Sequence, residues 1–290
     1  MPTLRNYLSL VKFSHTIFAL PFAILGFLFG CLDNLAGLQW LLFIKIIGCM
    51  IFARTAAMSF NRWADQYFDA QNSRTAIREI PSGVIKPTSA MLLVVTSSLL
   101  FCILTYSIND LCFYLSPVAL IVILGYSYTK RFTYLCHFIL GIGLSLAPIG
   151  AYMAVANTCS PFIVLLGFVV LTWVSGFDII YALQDEVFDK SNQLHSIPVK
   201  IGRANALLLS RLIHLITSLL LIIIAWQFKL DSWFVFASIF FIGALIYQQS
   251  IVKVDDLSKV NLAFGTTNGV ASLVFALLTA IGLISKLAMI

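Results

Sequence analysis

Apolar segments long enough to cross a bilayer recur along the whole chain, and this recurrence restricts the fold more than any other feature. They lie near 15–34, 40–60, 89–108, 111–128, 135–156, 160–181, 205–228, 232–251 and 264–287. A helical span needs about 20 residues at about 1.5 Å of rise each, so the segments predict nine transmembrane helices, the fourth a short one. Within lipid a chain must satisfy its backbone hydrogen bonds internally, as a helix does. The expected fold is therefore an all-α membrane bundle. Composition agrees: 60% of the 290 residues are hydrophobic and only 10% are charged, outside the range of soluble domains. No linker, low-complexity tract or short repeat divides the chain, so residues 1–290 read as one domain.

Lys and Arg accumulate in cytoplasmic loops, and a nine-span topology sorts them. Arg5, Lys12, Arg62, Arg74, Arg78, Lys86, Lys130, Arg131, Lys190, Lys200, Arg203, Lys253 and Lys259 fall on one side, and only Lys229 and Lys286 on the other. The N-terminus is thus expected in the cytoplasm and the C-terminus outside. These loops account for the net charge of +6, which suits anionic lipid headgroups and requires no nucleic acid. Residues 14–31 read as a retained first helix, because eight further spans follow. With no Arg- and Ser-rich transit segment in view, the expected location is a bacterial cell (inner) membrane. The six cysteines lack CxxC spacing and read as packing residues.

Two loops are long, 70–88 and 190–204, both on the basic side. Each follows a helix end with polar residues four apart. Asn61, Asp65 and Asp69 form one series, and Tyr181, Asp185 and Asp189 repeat it. Each step rises about 6 Å along a helix, so each series makes a stripe. Four spans separate the two ends, an even number, which puts both on one face of the membrane. Like charges at i and i+4 repel, and oxygens at this spacing suit Mg2+, which takes one or two carboxylates together with waters and substrate phosphates. Arg74, Arg78, Lys130 and Lys190 flank the stripes; they suit diphosphate oxygens, and the positive-inside rule alone would also place them there. A transporter is the competing reading of ionisable residues inside helices, although its site is expected near the midplane.

The series resemble those of the UbiA superfamily of intramembrane prenyltransferases, over nearly the whole chain. Residues 61–69, followed by Arg74-Thr75, Arg78 and Pro81-Ser82-Gly83, are similar to the family's NDxxDxxxD with RT, R and PxG. Tyr181, Asp185 and Asp189, with Asp178 before them, resemble its YxxxDxxxD helix, and 126–131 resemble its YxxxKR segment. The resemblance implies that Asp65, Asp69, Asp185 and Asp189, aided by Asn61, hold Mg2+ against a polyprenyl diphosphate. Arg74, Arg78 and Lys130 would assist, and the prenyl group would pass to the carbon ortho to an aromatic hydroxyl. Arg62 departs from the pattern, standing where relatives carry the Asp of NDxxD. Segments 12–16, 54–58 and 194–198 resemble a UbiA-like branch of quinone biosynthesis, with 4-hydroxybenzoate and a dihydroxynaphthoate both open as acceptor.

Arg54 and Asp178 each precede a motif position, Asn61 or Asp185, by seven residues, and so lie two turns deeper on the same face. They are expected to meet at a cavity floor, either as a structural ion pair or with Arg54 available to an acceptor carboxylate. Tyr126 and Tyr181 belong to the same expected cavity. His15 and His195 are the histidines nearest the stripes, with a structural role or that of proton acceptor.

Overall fold

Local chemistry sets where the helices begin. Pro87 opens α5 (Pro87–Tyr106) and Pro161 opens α8 (Pro161–Ala182), positions where a missing N–H costs no intrahelical bond. Side-chain oxygens cap three starts: Asn109 accepts from the Cys112 N–H at α6 (Asp110–Thr129), Ser160 from Ile163 at α8, and Asp231 from Phe234 at α11 (Ser232–Ile251). The computed structural model describes residues 3–12 and 18–289. Its other helices are α1 (Leu4–Leu10), α2 (Leu20–Asp33), α3 (Trp40–Ala64), α4 (Gln66–Gln71), α7 (Cys136–Ala156), α9 (Glu186–Ser191), α10 (Ile197–Gln227) and α12 (Asn268–Leu287). A π-helical stretch, Leu262–Thr267, leads into α12.

Among the described residues eight segments are long and apolar enough to cross a membrane: α3, α5, α6, α7, Pro161–Ser191, α10, α11 and Leu262–Leu287. The expected first span, 15–34, is helical over Leu20–Asp33, which is 14 residues, and 13–17 lie outside the described residues. Two other expectations are corrected. The fourth span is a full 20-residue helix, α6, because Asn109 caps it two residues ahead of the apolar run. The second long loop is also shorter than 190–204, since α10 already begins at Ile197. Gly202 interrupts that helix with φ 76 and ψ 164, a region open to glycine and almost nothing else.

Helix α8 is the hub, packed between α7 and α10, while α2 lies on α7, and α5 and α6 lie on α3. Bilayer tails offer no hydrophobic drive to separate such helices from lipid, so close packing and interhelical hydrogen bonds hold them together. Gly26 of α2 sits directly under the Pro148 carbonyl of α7, where a Cβ would collide with backbone. Phe22, Trp173, Phe241 and Phe275 form an aromatic core with ring centroids 5.3–6.4 Å apart. The indole N–H of Trp173 donates to Asn268 Oδ1 at 2.8 Å, which satisfies both buried polar groups.

Candidate functional site

The two acidic helix ends face one cavity, and each breaks at its motif. α3 stops at Ala64, Asp65 adopts φ −92 and ψ 2, and α4 resumes at Gln66. The bonds from the Asp65 N–H to the Asn61 carbonyl (2.9 Å) and from the Asp69 N–H to the Asp65 carbonyl (2.8 Å) persist across the break, so the stripe survives it. On the other side, Leu183–Asp185 form a 3-10 turn between α8 and α9. That tighter turn sets the direction in which Asp185 and Asp189 leave the helix.

Each carboxylate has a cation. Arg78 donates to Asp69 at 2.7 and 2.8 Å. Arg74 reaches across to the opposite motif, with Nη2 2.5 Å from Asp185 Oδ2 and Nη1 donating to the Tyr181 hydroxyl at 2.9 Å. Asn72 also donates to Asp185, at 3.2 Å. Arg131 stands 3.6 Å from Asp65, whose oxygen accepts from Asn61 Nδ2 at 3.0 Å. Lys130 Nζ lies 2.7 Å from Asp189 Oδ1, and this carboxylate is fully buried. Burial first, and then the charge of Asp69, push the Asp65 carboxyl up to about 6. Burial pulls the Lys130 ammonium down, but Asp189, with Asp185 and Asp65 beyond it, more than reverses this and raises it.

The cavity holds about 330 Å³. Seven cationic side chains line it, Lys12, Arg54, Arg62, Arg74, Arg78, Lys130 and Arg131, against four carboxylates, Asp65, Asp69, Asp178 and Asp185. This excess of positive charge in a half-enclosed, low-dielectric space suits a polyanion. A second cavity of about 340 Å³ between α3, α5, α6 and α7 is almost wholly apolar, and shares Arg54, Met58, Tyr126, Leu140 and Leu144 with the first.

The expected site residues distribute unevenly around these spaces. Asn61, Asp65, Asp69, Arg74, Arg78, Lys130, Tyr126, Tyr181, Asp185, Arg54 and Asp178 all line the polar cavity. Asp189 does not: it is fully buried behind Lys130. Lys190 is also absent from the wall, because it follows Asp189 by one residue on a helix and so points outward, exposed. Arg54 and Asp178 share the cavity but form no pair. Arg54 donates to the Lys12 carbonyl at 2.9 Å and has a buried Nε with no partner among the described residues, while Asp178 is bound by His137 at 2.7 Å. His195 is off the wall, edge-on to Tyr134 at 4.8 Å, and His15 lies outside the described residues. Arg62, the departure from the family pattern, is buried in the wall among the other cations. His137 was invisible to sequence reasoning, since one histidine in an apolar run carries no local spacing that points to a partner 41 residues away.

The donor set fits a divalent cation of the Mg2+ type that arrives with its substrate. Carboxylate oxygens from two helix ends converge, but among the described residues no three His, Cys, Asp or Glu side chains stand close enough to hold a metal alone. Mg2+ commonly takes one or two carboxylates and completes its shell with water and phosphate oxygens.

Comparison with known proteins places this architecture. Residues 19–276 match the UbiA prenyltransferase family. Over 244 residues the chain is 31% identical to the 4-hydroxybenzoate octaprenyltransferase of Aliivibrio salmonicida (strain LFI1238), covering 83% of this chain and 85% of that one. A second protein of that name, from Tolumonas auensis (strain DSM 9187 / NBRC 110442 / TA 4), is 31% identical over 236 residues, 81% of this chain and 82% of its own. The fold is that of a membrane-embedded prenyltransferase. Among solved structures, the apo UbiA homolog from Aeropyrum pernix K1 superposes with a TM-score of 0.80 at 27% identity, covering 95% of this chain and 98% of that one. The UbiA homolog from Archaeoglobus fulgidus bound to GPP and Mg2+ shares the fold, with a TM-score of 0.74 at 21% identity over 97% and 99% of the two chains. The chain belongs to the UbiA prenyltransferase family, and the transporter reading is set aside.

Proposed function

We propose that the protein transfers a polyprenyl group from polyprenyl diphosphate to an aromatic hydroxy acid in respiratory quinone formation, with Mg2+, at the cytoplasmic face of the inner membrane. The observation that carries this reading is the junction of the two cavities: a strongly cationic chamber at the acidic helix ends that shares a wall with an apolar one between helices. A prenyl diphosphate has the same division, with an anionic head and a long apolar tail.

Within this reading, Asp65, Asp69 and Asp185 with Asn61 hold the metal ion, and Asp189 acts through Lys130. When bound, the ion supplies neutralisation of the negative charge that builds on the departing diphosphate. Arg74 and Arg78 have two kinds of anion within reach, a helix-end carboxylate or diphosphate oxygens, and Lys130 has the same choice. Such groups stabilise charge where it develops, which is usually the main source of an enzyme's rate acceleration. The tail lies among α3, α5, α6 and α7, which keeps water from the allylic carbon. Arg54, whose Nε at the junction of the cavities has no partner among the described residues, takes the acceptor carboxylate, beside Tyr126, Tyr181 and Asp178. The Aliivibrio and Tolumonas relatives support 4-hydroxybenzoate as acceptor; 1,4-dihydroxy-6-naphthoate is the other aromatic acid of matching chemistry.

The test is product formation by the purified protein with a long-chain prenyl diphosphate, Mg2+ and each acceptor in turn. Product from one acceptor, lost with EDTA and in Asp65→Ala, is expected. Product that persists in both controls would refute the metal assignment, and absence of product from both acceptors would refute the acceptor class.

A further inference from the structure

We propose that Arg62 stands in for a divalent cation: its guanidinium grips the diphosphate directly, so that the site works with a single Mg2+. This rests on the transferase reading above and deepens it, by naming a further residue that holds the donor's head and the number of metal ions that come with it. Arg62 belongs to the last turn of α3, one residue after Asn61, three before Asp65 and seven before Asp69. Steps of three and seven keep helical side chains on one face, and Arg62 lines the polar cavity with both carboxylates. It is 4% exposed.

The lack of a partner carries the inference. Five arginines line the cavity, and four donate hydrogen bonds: Arg54 to the Lys12 carbonyl, Arg74 to Asp185, Arg78 to Asp69 and Arg131 to the Ala64 carbonyl. Arg62 forms no hydrogen bond or ion pair among the described residues, and its Nε is buried without one. The charged and titratable groups around it are Arg78, Asp69, Glu79 and Tyr126. Both nearby carboxylates are engaged elsewhere, Asp69 by Arg78 at 2.7 Å and Glu79 by the Ser9 hydroxyl. A buried guanidinium without a directed partner is costly to keep, and an anion that arrives with the substrate offsets that cost. Position selects which anion. Arg54 lies eight residues deeper, about 12 Å along the helix, where the apolar cavity begins. Arg62 is level with the metal-binding stripe, where the donor's diphosphate sits.

Charge selects the number of metal ions. Seven cations against four carboxylates leave the wall an excess of three positive charges. The aspartate of the motif pattern at position 62 would make it six against five, an excess of one. The exchange adds two charges, as many as one Mg2+ carries, and fixes them in the wall. It also removes a carboxylate that a second ion would use. Mg2+ is commonly held by one or two carboxylates, and Asp189 is withheld behind Lys130, which leaves Asp65, Asp69 and Asp185 for one ion. A guanidinium presents a planar fork of N–H donors that matches two phosphate oxygens at once. Held there, it stabilises the negative charge that develops on the diphosphate as the bond to the prenyl carbon breaks.

The experiment counts metal ions and measures donor affinity in wild type, Arg62→Lys, Arg62→Gln and Arg62→Asp. Bound Mn2+ is counted by electron paramagnetic resonance at saturating farnesyl thiodiphosphate, and affinity for the same compound is followed against free Mg2+. Wild type is expected to hold about one Mn2+ per bound donor, with log affinity rising against log Mg2+ at a slope of about one. Arg62→Gln should lose about 30-fold or more in donor affinity at an unchanged metal count. Arg62→Lys, which keeps the charge without the planar fork, should stay within about tenfold of wild type. Arg62→Asp should take up a second Mn2+ and bind donor with a slope of about two. Two Mn2+ per donor in wild type would overturn the proposal and leave the transferase reading intact. So would an Arg62→Gln variant with unchanged donor affinity and a raised KM for the acceptor alone, which would assign Arg62 to the acceptor. A wild type that binds farnesyl thiodiphosphate equally well without metal, or not at all, would overturn the transferase reading too. The wild-type count needs no variant, so misfolding of Arg62→Asp leaves the test intact.

Discussion

Asp65 has an incompletely answered charge, with burial and Asp69 outweighing Lys130, Arg131 and Arg78. Its carboxyl is raised to about 6 from an ordinary 3.8, so above pH 6 the folded protein bears the cost of an ionised buried group. That cost fades as pH falls from 6 towards 3.8, where folded and unfolded forms are both protonated. Asp65→Asn is accordingly expected to stabilise the metal-free protein at pH 7.5 by about 1 kcal/mol, an advantage that shrinks by pH 5, while abolishing Mg2+-dependent transfer. Thermal midpoints at the two pH values check it; an Asn variant less stable at pH 7.5 would contradict the electrostatic account. The acidic series was legible in the sequence because i, i+4 spacing is local. What each side chain touches was not. Arg54 and Asp178 share a cavity yet bind other partners, Lys190 points away from Asp189 because one helical residue rotates the side chain by about 100°, and His137 had no neighbour in sequence to give it away.

Helices were readable wherever an apolar run had a Pro or a capping side chain at its start, as at Pro87, Asn109, Ser160 and Asp231. They were misread where the backbone departs from regular α geometry, since apolar periodicity does not report φ and ψ. α10 is the main case: its break at Gly202 made the first turns look like loop. Gly202→Ala should cost about 1–3 kcal/mol, seen as a lower thermal midpoint and faster proteolysis near residue 202; unchanged stability would mean that the break does not depend on glycine. Between α3, α6 and α7, the apolar cavity makes a separate prediction. Ala119→Phe in α6 fills space along its wall, so transfer from a long-chain donor should fall at least tenfold more than transfer from a ten-carbon donor. Equal effects on both would place the tail elsewhere.

For the whole molecule, large apolar side chains such as Leu99, Ile121, Leu215 and Phe236 are exposed on the outer surfaces of spanning helices, where lipid replaces water as the solvent. The proposed orientation puts the turn between α7 and α8 outside. Cys159 in that turn is exposed, so an impermeant maleimide should label it from the outer side of intact cells, with Cys159→Ser as control; labelling only after permeabilisation would invert the topology. The same orientation sets both acidic helix ends and their cations on the cytoplasmic face, and the central claim is that these two ends bind one prenyl diphosphate together with a metal ion. Titrating purified protein with farnesyl thiodiphosphate, with and without Mg2+, in wild type and in an Asp69→Asn/Asp185→Asn double variant measures this directly. Saturable binding that requires Mg2+ and weakens by about 100-fold or more in the double variant is predicted. Binding of equal strength without the metal and without both carboxylates would contradict the account.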